Sequence, residues 1–270
     1  MKEHIPHFAI VLSGSGVFDG SEIPEATCTL LAIDELGCKY TCFAPNIWQE
    51  KTIDHFTGNV TSFAGDDDNR NVLAESARIA RGEIKDLKEF KASDFDAIIF
   101  PGGFGAAMNL SNFATKGKDC SVNEEVERAI QESYRQGIII GAMCIAPVIL
   151  AKVLGEHKIR ITIGNDKATA QGVEAMGAVH ENCSSTEVCA DEINRIVTVP
   201  CYMLAKSIRE IGVATRNLVD EAIELMQLYS HYHAEECHCG CGHHHDHDEQ
   251  DDHDDCHCGG GCGCHNHHHH

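Results

Sequence analysis

Short apolar runs alternate along this chain with longer stretches whose apolar positions recur at helical spacing. "HFAIVL" breaks at "SGSG", which predicts a buried strand ending in a glycine loop. In "EIPEATCTLLAIDELG", Ala26, Leu30, Ile33 and Leu36 recur three or four residues apart and Gly37 follows, so a helix with a glycine stop is predicted. "KYTCFAP" is the next strand. Residues 46–68 mix polar turns with short β-like pieces such as "GNVTSFAG" and predict an insertion. Then come a helix ("NRNVLAESARIARG"), a strand entering a glycine turn ("DFDAIIFPGG") and an amphipathic helix with acidic residues in its first turn ("NEEVERAIQESYRQG"). "IIIGAM" predicts a fully buried strand, "IAPVILAKVLG" a helix, "IRITIG" a strand and "DKATAQGVEAMG" a helix. "EVCADEINRIVTVP" predicts a hairpin turning at Asp191–Asn194, and the stretch beginning "MLAKSIREIGVATRN" predicts a closing helix. Strands alternating with helices give βαβ units, hence an α/β fold with a mainly parallel sheet and helices on both faces. Ligands bind such sheets at the carboxyl ends of the strands.

The pattern stops near residue 232. From Glu235 onward there is no Leu, Ile, Val or Phe, but there are nine acidic residues and seven cysteines. A segment of that composition has no core to bury. We therefore divide the chain into a domain, 1–232, and a low-complexity tail, 233–270. The tail carries −9 of the formal net charge of −21. The domain is also acidic, which argues against nucleic acid and anionic membrane surfaces as partners. No run of 18 apolar residues predicts a membrane span. The N-terminus lacks the long apolar region and cleavage site of a secretory signal, so a cytoplasmic protein is expected. The eight cysteines of the domain are irregularly spaced and are expected to be free thiols in a reducing compartment.

One of those cysteines has a special position. In "GIIIGAMCIAP" the strand and the helix leave only Cys144 between them. The chain must turn at once there, the geometry of a nucleophile elbow that holds a side chain out over the sheet. The helix behind it directs amides and a dipole at the sulfur, which predicts a lowered thiol pKa. Pro147 suits the first helical turn. The competing reading is a small thiol packed like alanine. In "PGGFGAA", Gly102 and Gly103 let the backbone approach closely. With the amide of Ile145 they form a candidate oxyanion hole. Glu22 and Glu25 start the first helix at its strand's carboxyl end, where a half-buried carboxyl shares a proton with a thiolate. The alternative is a first-turn glutamate favoured by the helix dipole.

Taken together, "VLSGSGVFDGSEIPEA", "PGGFGAAMNLSNFA", "GAMCIAP", "RITIG" and "VTVPCYMLA" resemble the ElbB glyoxalase-like family. That family belongs to the PfpI-like group of the class I glutamine amidotransferase-like superfamily. The resemblance covers roughly residues 6–230. It implies a flavodoxin-like three-layer sandwich and a homodimer. It makes Cys144 the nucleophile, Glu25 its carboxyl partner, and Gly103 and Ile145 the oxyanion donors. The chain departs from the pattern twice. Ile145 stands where many PfpI-like proteins have a histidine, and Gly164 stands near where related proteins place another. Glutamine hydrolysis needs that histidine, so a Cys144–Glu25 dyad remains; His180 is the mid-domain candidate to substitute, and the competing reading is a polar loop histidine. The implied reaction converts small α-oxoaldehydes, glyoxal to glycolate, with no glutathione, metal or other cofactor. The alternative is a non-catalytic thiol, redox or metabolic accessory protein on the same fold.

The tail suggests separate chemistry. Cys237, Cys239 and Cys241 are spaced Cys-x-Cys, as are Cys256 with Cys258 and Cys262 with Cys264. His238, His243, His244, His245, His247, His253, His257 and His265 lie among them. Thiolates and imidazoles at this density bind divalent zinc, nickel or copper. The spacing is not that of a single zinc finger. The last four histidines also read as a short purification tag, whereas those upstream do not.

Overall fold

The computed structural model describes residues 4–236. The chain begins with β1 (His7–Val11), α1 (Ile23–Glu35) and β2 (Lys39–Ala44). A small hairpin follows, β3 (Lys51–Ile53) and β4 (Val60–Phe63), then α2 (Val72–Ile79), β5 (Ile84–Asp86) and β6 (Ala97–Phe100). Two short helices, α3 (Phe104–Met108) and α4 (Phe113–Lys116), lead to α5 (Glu124–Gln136), β7 (Ile139–Met143) and α6 (Pro147–Leu154). The last part contains β8 (Arg160–Ile161), α7 (Lys167–Ala175), β9 (Val179–His180), β10 (Cys189–Asp191), β11 (Ile196–Val199) and α8 (Ile208–Glu236).

Seven strands form one sheet in the order β10-β11-β7-β6-β1-β2-β5. Every neighbouring pair is parallel except β10 with β11, which form the expected hairpin. Alternate residues of the central strands enter opposite cores. Ala9, Val11, Ile98, Phe100 and Ile140 pack with α5 and α6 on one face. Phe8, Ile10, Ile99, Ile139 and Val197 pack with α1 and α8 on the other. Those central strands are buried on both faces, which is why they read as continuous apolar runs.

Three elements differ from the sequence pattern. β5 is an edge strand of three residues, too short for any periodicity to show. The "IRITIG" strand shrinks to Arg160–Ile161 and pairs with β9, outside the main sheet. Side chains take up its backbone instead: the amide of Arg160 donates to Asp191 Oδ2 (2.7 Å) and that of Thr162 to Thr198 Oγ1 (2.9 Å). The last helix begins at Ile208 rather than Met203. Ser207 accepts from the Glu210 amide (3.3 Å) while its hydroxyl bonds the Glu210 carboxylate (3.1 Å), a serine–glutamate start of the capping-box type. The insertion at 46–68 is the β3–β4 hairpin, tied back by the Ile53 amide donating to Asp19 Oδ2 (2.8 Å).

Candidate active site

The chain switches direction across the sheet between β1 and β6, and four neighbouring carboxyl ends bring the candidate residues together. Glu25 comes from the first turn of α1, Gly102 and Gly103 follow β6, Cys144 follows β7, and Tyr202 follows β11. This is where an open parallel sheet binds ligands.

Cys144 is the residue on which the chain turns. Its φ is +59°, the left-handed region that a residue with a Cβ adopts only under constraint. Two hydrogen bonds hold the turn: the Cys144 amide donates to Val199 O on β11 (3.0 Å), and the Ala146 amide donates to Met143 O (3.0 Å). The residue is buried, with 8% of its surface exposed. Electrostatically, the amides of Gly103 and Ile145 favour the thiolate form of its sulfur, while the Glu25 carboxyl opposes it.

Glu25 is fully buried. Oε1 accepts from the Tyr202 amide and Oε2 from the Gly102 amide, both at 3.1 Å. Burial pushes its pKa from 4.5 up to about 8, while the Tyr202 amide, the Cys144 thiol and the Gly102 amide pull it down and the Glu22 charge raises it. Burial also pushes the Cys144 thiol well above its ordinary value. The Glu25 charge adds to that rise, and the Gly103 and Ile145 amides offset only part of it. This reverses the expectation of a lowered thiol pKa. The local amide effect exists, but it is smaller than the desolvation of a sulfur sealed against a carboxyl.

Glycine is required where these elements meet. A Cβ on Gly102 would lie 2.3 Å from Cys144 Cβ and 2.5 Å from Glu25 Oε2. Gly103 has φ +98°, and a Cβ there would lie 2.4 Å from the Glu22 amide nitrogen. Of the three expected oxyanion donors, Gly103 and Ile145 face the sulfur, whereas the Gly102 amide is committed to Glu25. Glu22 caps α1, accepting from the Glu25 amide through Oε2 (2.8 Å). It therefore positions Glu25. His180 does not join the site: on β9, its Nε2 accepts from the Ile163 amide (3.3 Å). Among the described residues no histidine bonds to Cys144 in the absent partner's place.

Two participants escaped the sequence reading. The Tyr202 amide fixes one oxygen of Glu25, and backbone donors leave no mark in residue type. Asn109 clamps the loop after β1, with Nδ2 donating to Ser13 O (2.9 Å) and Asp19 O (2.8 Å). Among the described residues no group of three or more His, Cys, Asp or Glu side chains is arranged to hold a metal ion, and no helix is long and apolar enough to cross a membrane. The expected metal ligands of the tail lie outside the described residues. These are the cysteines Cys237, Cys239, Cys241, Cys256, Cys258, Cys262 and Cys264, with the histidines from His238 to His265.

An α/β sheet with an elbow cysteine, a buried glutamate and the Gly103 and Ile145 amides is the arrangement of a class I glutamine amidotransferase-like protein, a class the relatives establish. No protein-family model matches the chain. Individual relatives do. The human glutamine amidotransferase-like class 1 domain-containing protein 3, mitochondrial, is 43% identical over 226 residues, covering 80% of this chain and 82% of the relative. The zebrafish ES1 protein, mitochondrial, is 34% identical over 211 residues, covering 73% of this chain and 77% of the relative. A solved structure from Ehrlichia chaffeensis, described as an isoprenoid biosynthesis protein with an amidotransferase-like domain, superposes with a TM-score of 0.75 at 32% identity. It covers 82% of this chain and 99% of that one. The chain belongs to the ES1-like family of class I glutamine amidotransferase-like proteins. The cytoplasmic expectation is corrected by the same comparison, because the human, rat and zebrafish relatives are mitochondrial proteins. Secretory signals are only one of several kinds of targeting segment.

Proposed function

We propose that this protein is a glutathione-independent glyoxalase-like enzyme in which Cys144 adds to small α-oxoaldehydes and glyoxal leaves as glycolate. One observation supports this above the others: the Cys144 turn lies against a fully buried carboxyl of raised pKa, with the Gly103 and Ile145 amides favouring negative charge on its sulfur. The Glu25 pKa lies below that of the thiol, so the working form is a carboxylate beside a thiol. As sulfur attacks one aldehyde carbon, Glu25 takes the thiol proton and returns it to the new oxyanion, giving a hemithioacetal. The Gly103 and Ile145 amides stabilise that oxyanion. Glu25 then removes the proton from the same carbon, forming an enediol, and delivers it to the neighbouring carbon. The first carbon is oxidised to a thioester as the second is reduced to an alcohol. Water cleaves the thioester, releasing glycolate and the thiol. The test is glycolate production by purified protein. Cys144→Ser should reduce it to the uncatalysed background, and full retention would overturn the assignment.

The alternative, a non-catalytic thiol or accessory role, draws support from the same raised thiol pKa, which keeps Cys144 protonated and slow to react unaided. No glycolate from wild type at any pH would favour it. The tail we read as a separate segment binding zinc, nickel or copper. Metal analysis of the full chain and of a chain ending at Glu236 tests this: the stoichiometry should vanish with the tail. We read the assembly as a homodimer, for which light scattering should give twice the chain mass.

A further inference from the structure

A cavity of about 370 Å³ lies beside the oxyanion loop. Its size falls within the range of small-molecule sites. Phe104, which lines it, directly follows the oxyanion donor Gly103, and its amide donates to Val17 O (2.8 Å). Phe18 lines it from the loop after β1, and the two loops are zipped together again by the Gly105 amide donating to Gly20 O (2.9 Å). Any ligand held there therefore sits against the segment that aims an amide at Cys144.

The walls are largely apolar. Phe18 and Phe104 remain 40% and 49% exposed, with Ile53, Met108 and Ala114 around them. Ile53 comes from the β3–β4 hairpin, which is fixed to the loop after β1 twice: through Asp19, and through the Phe18 amide donating to His55 Nε2 (3.1 Å), with the Phe18 and His55 rings stacked at 5.0 Å. The wall is thus anchored to the same loop that frames the site. One lining residue breaks the apolar character. Lys51 brings an ammonium group, and among the described residues no carboxylate forms an ion pair with it. In a domain with an excess of acid, an unpaired cation on an apolar wall selects for anions.

We infer that this cavity is the substrate pocket for the part of the molecule remote from the reacting aldehyde, and that it selects an apolar body ending in a carboxylate or similar anion. The inference rests on the aldehyde-adding site proposed above. A two-carbon aldehyde engages only the elbow; a larger α-oxoaldehyde gains contact with Phe18 and Phe104 and a charge pair with Lys51.

The experiment has two arms. In the first, kcat/KM is measured for methylglyoxal, phenylglyoxal and para-carboxyphenylglyoxal. Wild type should favour the carboxylated compound over phenylglyoxal by about tenfold, mainly through KM, the worth of one charge-assisted contact. Lys51→Met should erase that preference while leaving methylglyoxal unchanged. Ala114→Trp, which fills the cavity from an exposed position, should raise KM for both aromatic aldehydes only. Equal effects on all three substrates, or no preference in wild type, overturn the inference. The second arm needs no turnover: terephthalate is titrated into Cys144→Ala and followed by calorimetry. Saturable binding lost with Lys51→Met supports the pocket even if no aldehyde is consumed. No saturable binding overturns it even if glyoxal is consumed.

Discussion

Cys144 and Cys201 stand at the carboxyl ends of neighbouring parallel strands, β7 and β11, and both hold a left-handed φ, +59° and +45°. Both are buried, and burial raises both thiols well above the ordinary range. They differ in what the following residue does. After Cys144 the Ile145 amide turns back onto the sulfur, Gly103 adds a second amide, and helix α6 begins at Pro147. After Cys201 the Tyr202 amide is directed to Glu25 Oε1. Cys201 has no exposed surface, whereas Cys144 keeps 8%. A strained strand end is therefore not sufficient for a nucleophile. What separates the two is the charge-accepting environment around the Cys144 sulfur. The second elbow serves the first, because its turn presents the amide that holds the carboxyl partner.

The comparison breaks most readily at Cys144 itself, since Cys144→Ser should abolish glycolate formation while Cys201→Ala leaves it standing. Glu25→Gln comes next, with an expected loss of about 10²- to 10⁴-fold in kcat, the usual worth of a positioned proton-transfer group. The same variant tests the linkage to folding. The Glu25 pKa is raised from 4.5 to about 8, so its stabilising contribution is complete at low pH and is lost as pH rises through about 8. The Tm of wild type relative to Glu25→Gln should fall across that interval and level off above it. Gly102→Ala forces a Cβ to within 2.3 Å of Cys144 Cβ and should displace the elbow from Glu25. A loss of about 10²-fold in kcat is expected, typical of an ångström-scale misplacement. Cys201→Ala should change turnover least, within about twofold, and cost about 1 kcal/mol of stability, read by denaturant melts. A loss of turnover matching that of Cys144→Ser would erase the distinction between the two elbows.

Most of the fold was legible because the central strands are buried on both faces and the helices bury only one. "HFAIV", "AIIF" and "IIGAM" are continuous apolar runs for that reason. β5 was not, since a three-residue strand is set by its neighbours rather than by periodicity; β8 was legible as a strand but not in its length or its place outside the main sheet. Cys144 could be singled out because it follows a fully apolar strand directly; the sequence pattern starts the helix at Ile145, whereas it begins at Pro147 and the turn spans residues 144–146. Glu25 could be placed but not understood: its raised pKa comes from burial beneath loops 77 and 177 residues away in sequence. The direction of the Cys144 shift is hidden from the sequence for the same reason. Helix amides are a local property, visible in sequence, and desolvation is a tertiary one.

The central claim is that the Glu25 carboxylate, ionising near 8, draws the proton from the Cys144 thiol. The most direct measurement is the pH dependence of kcat/KM for glyoxal, followed as glycolate formed, in wild type and in Glu25→Gln. Because this ratio reports groups of the free enzyme, wild type should rise with pH and level off above about 8, and the variant should lack that rise. The same inflection in both proteins would contradict the account.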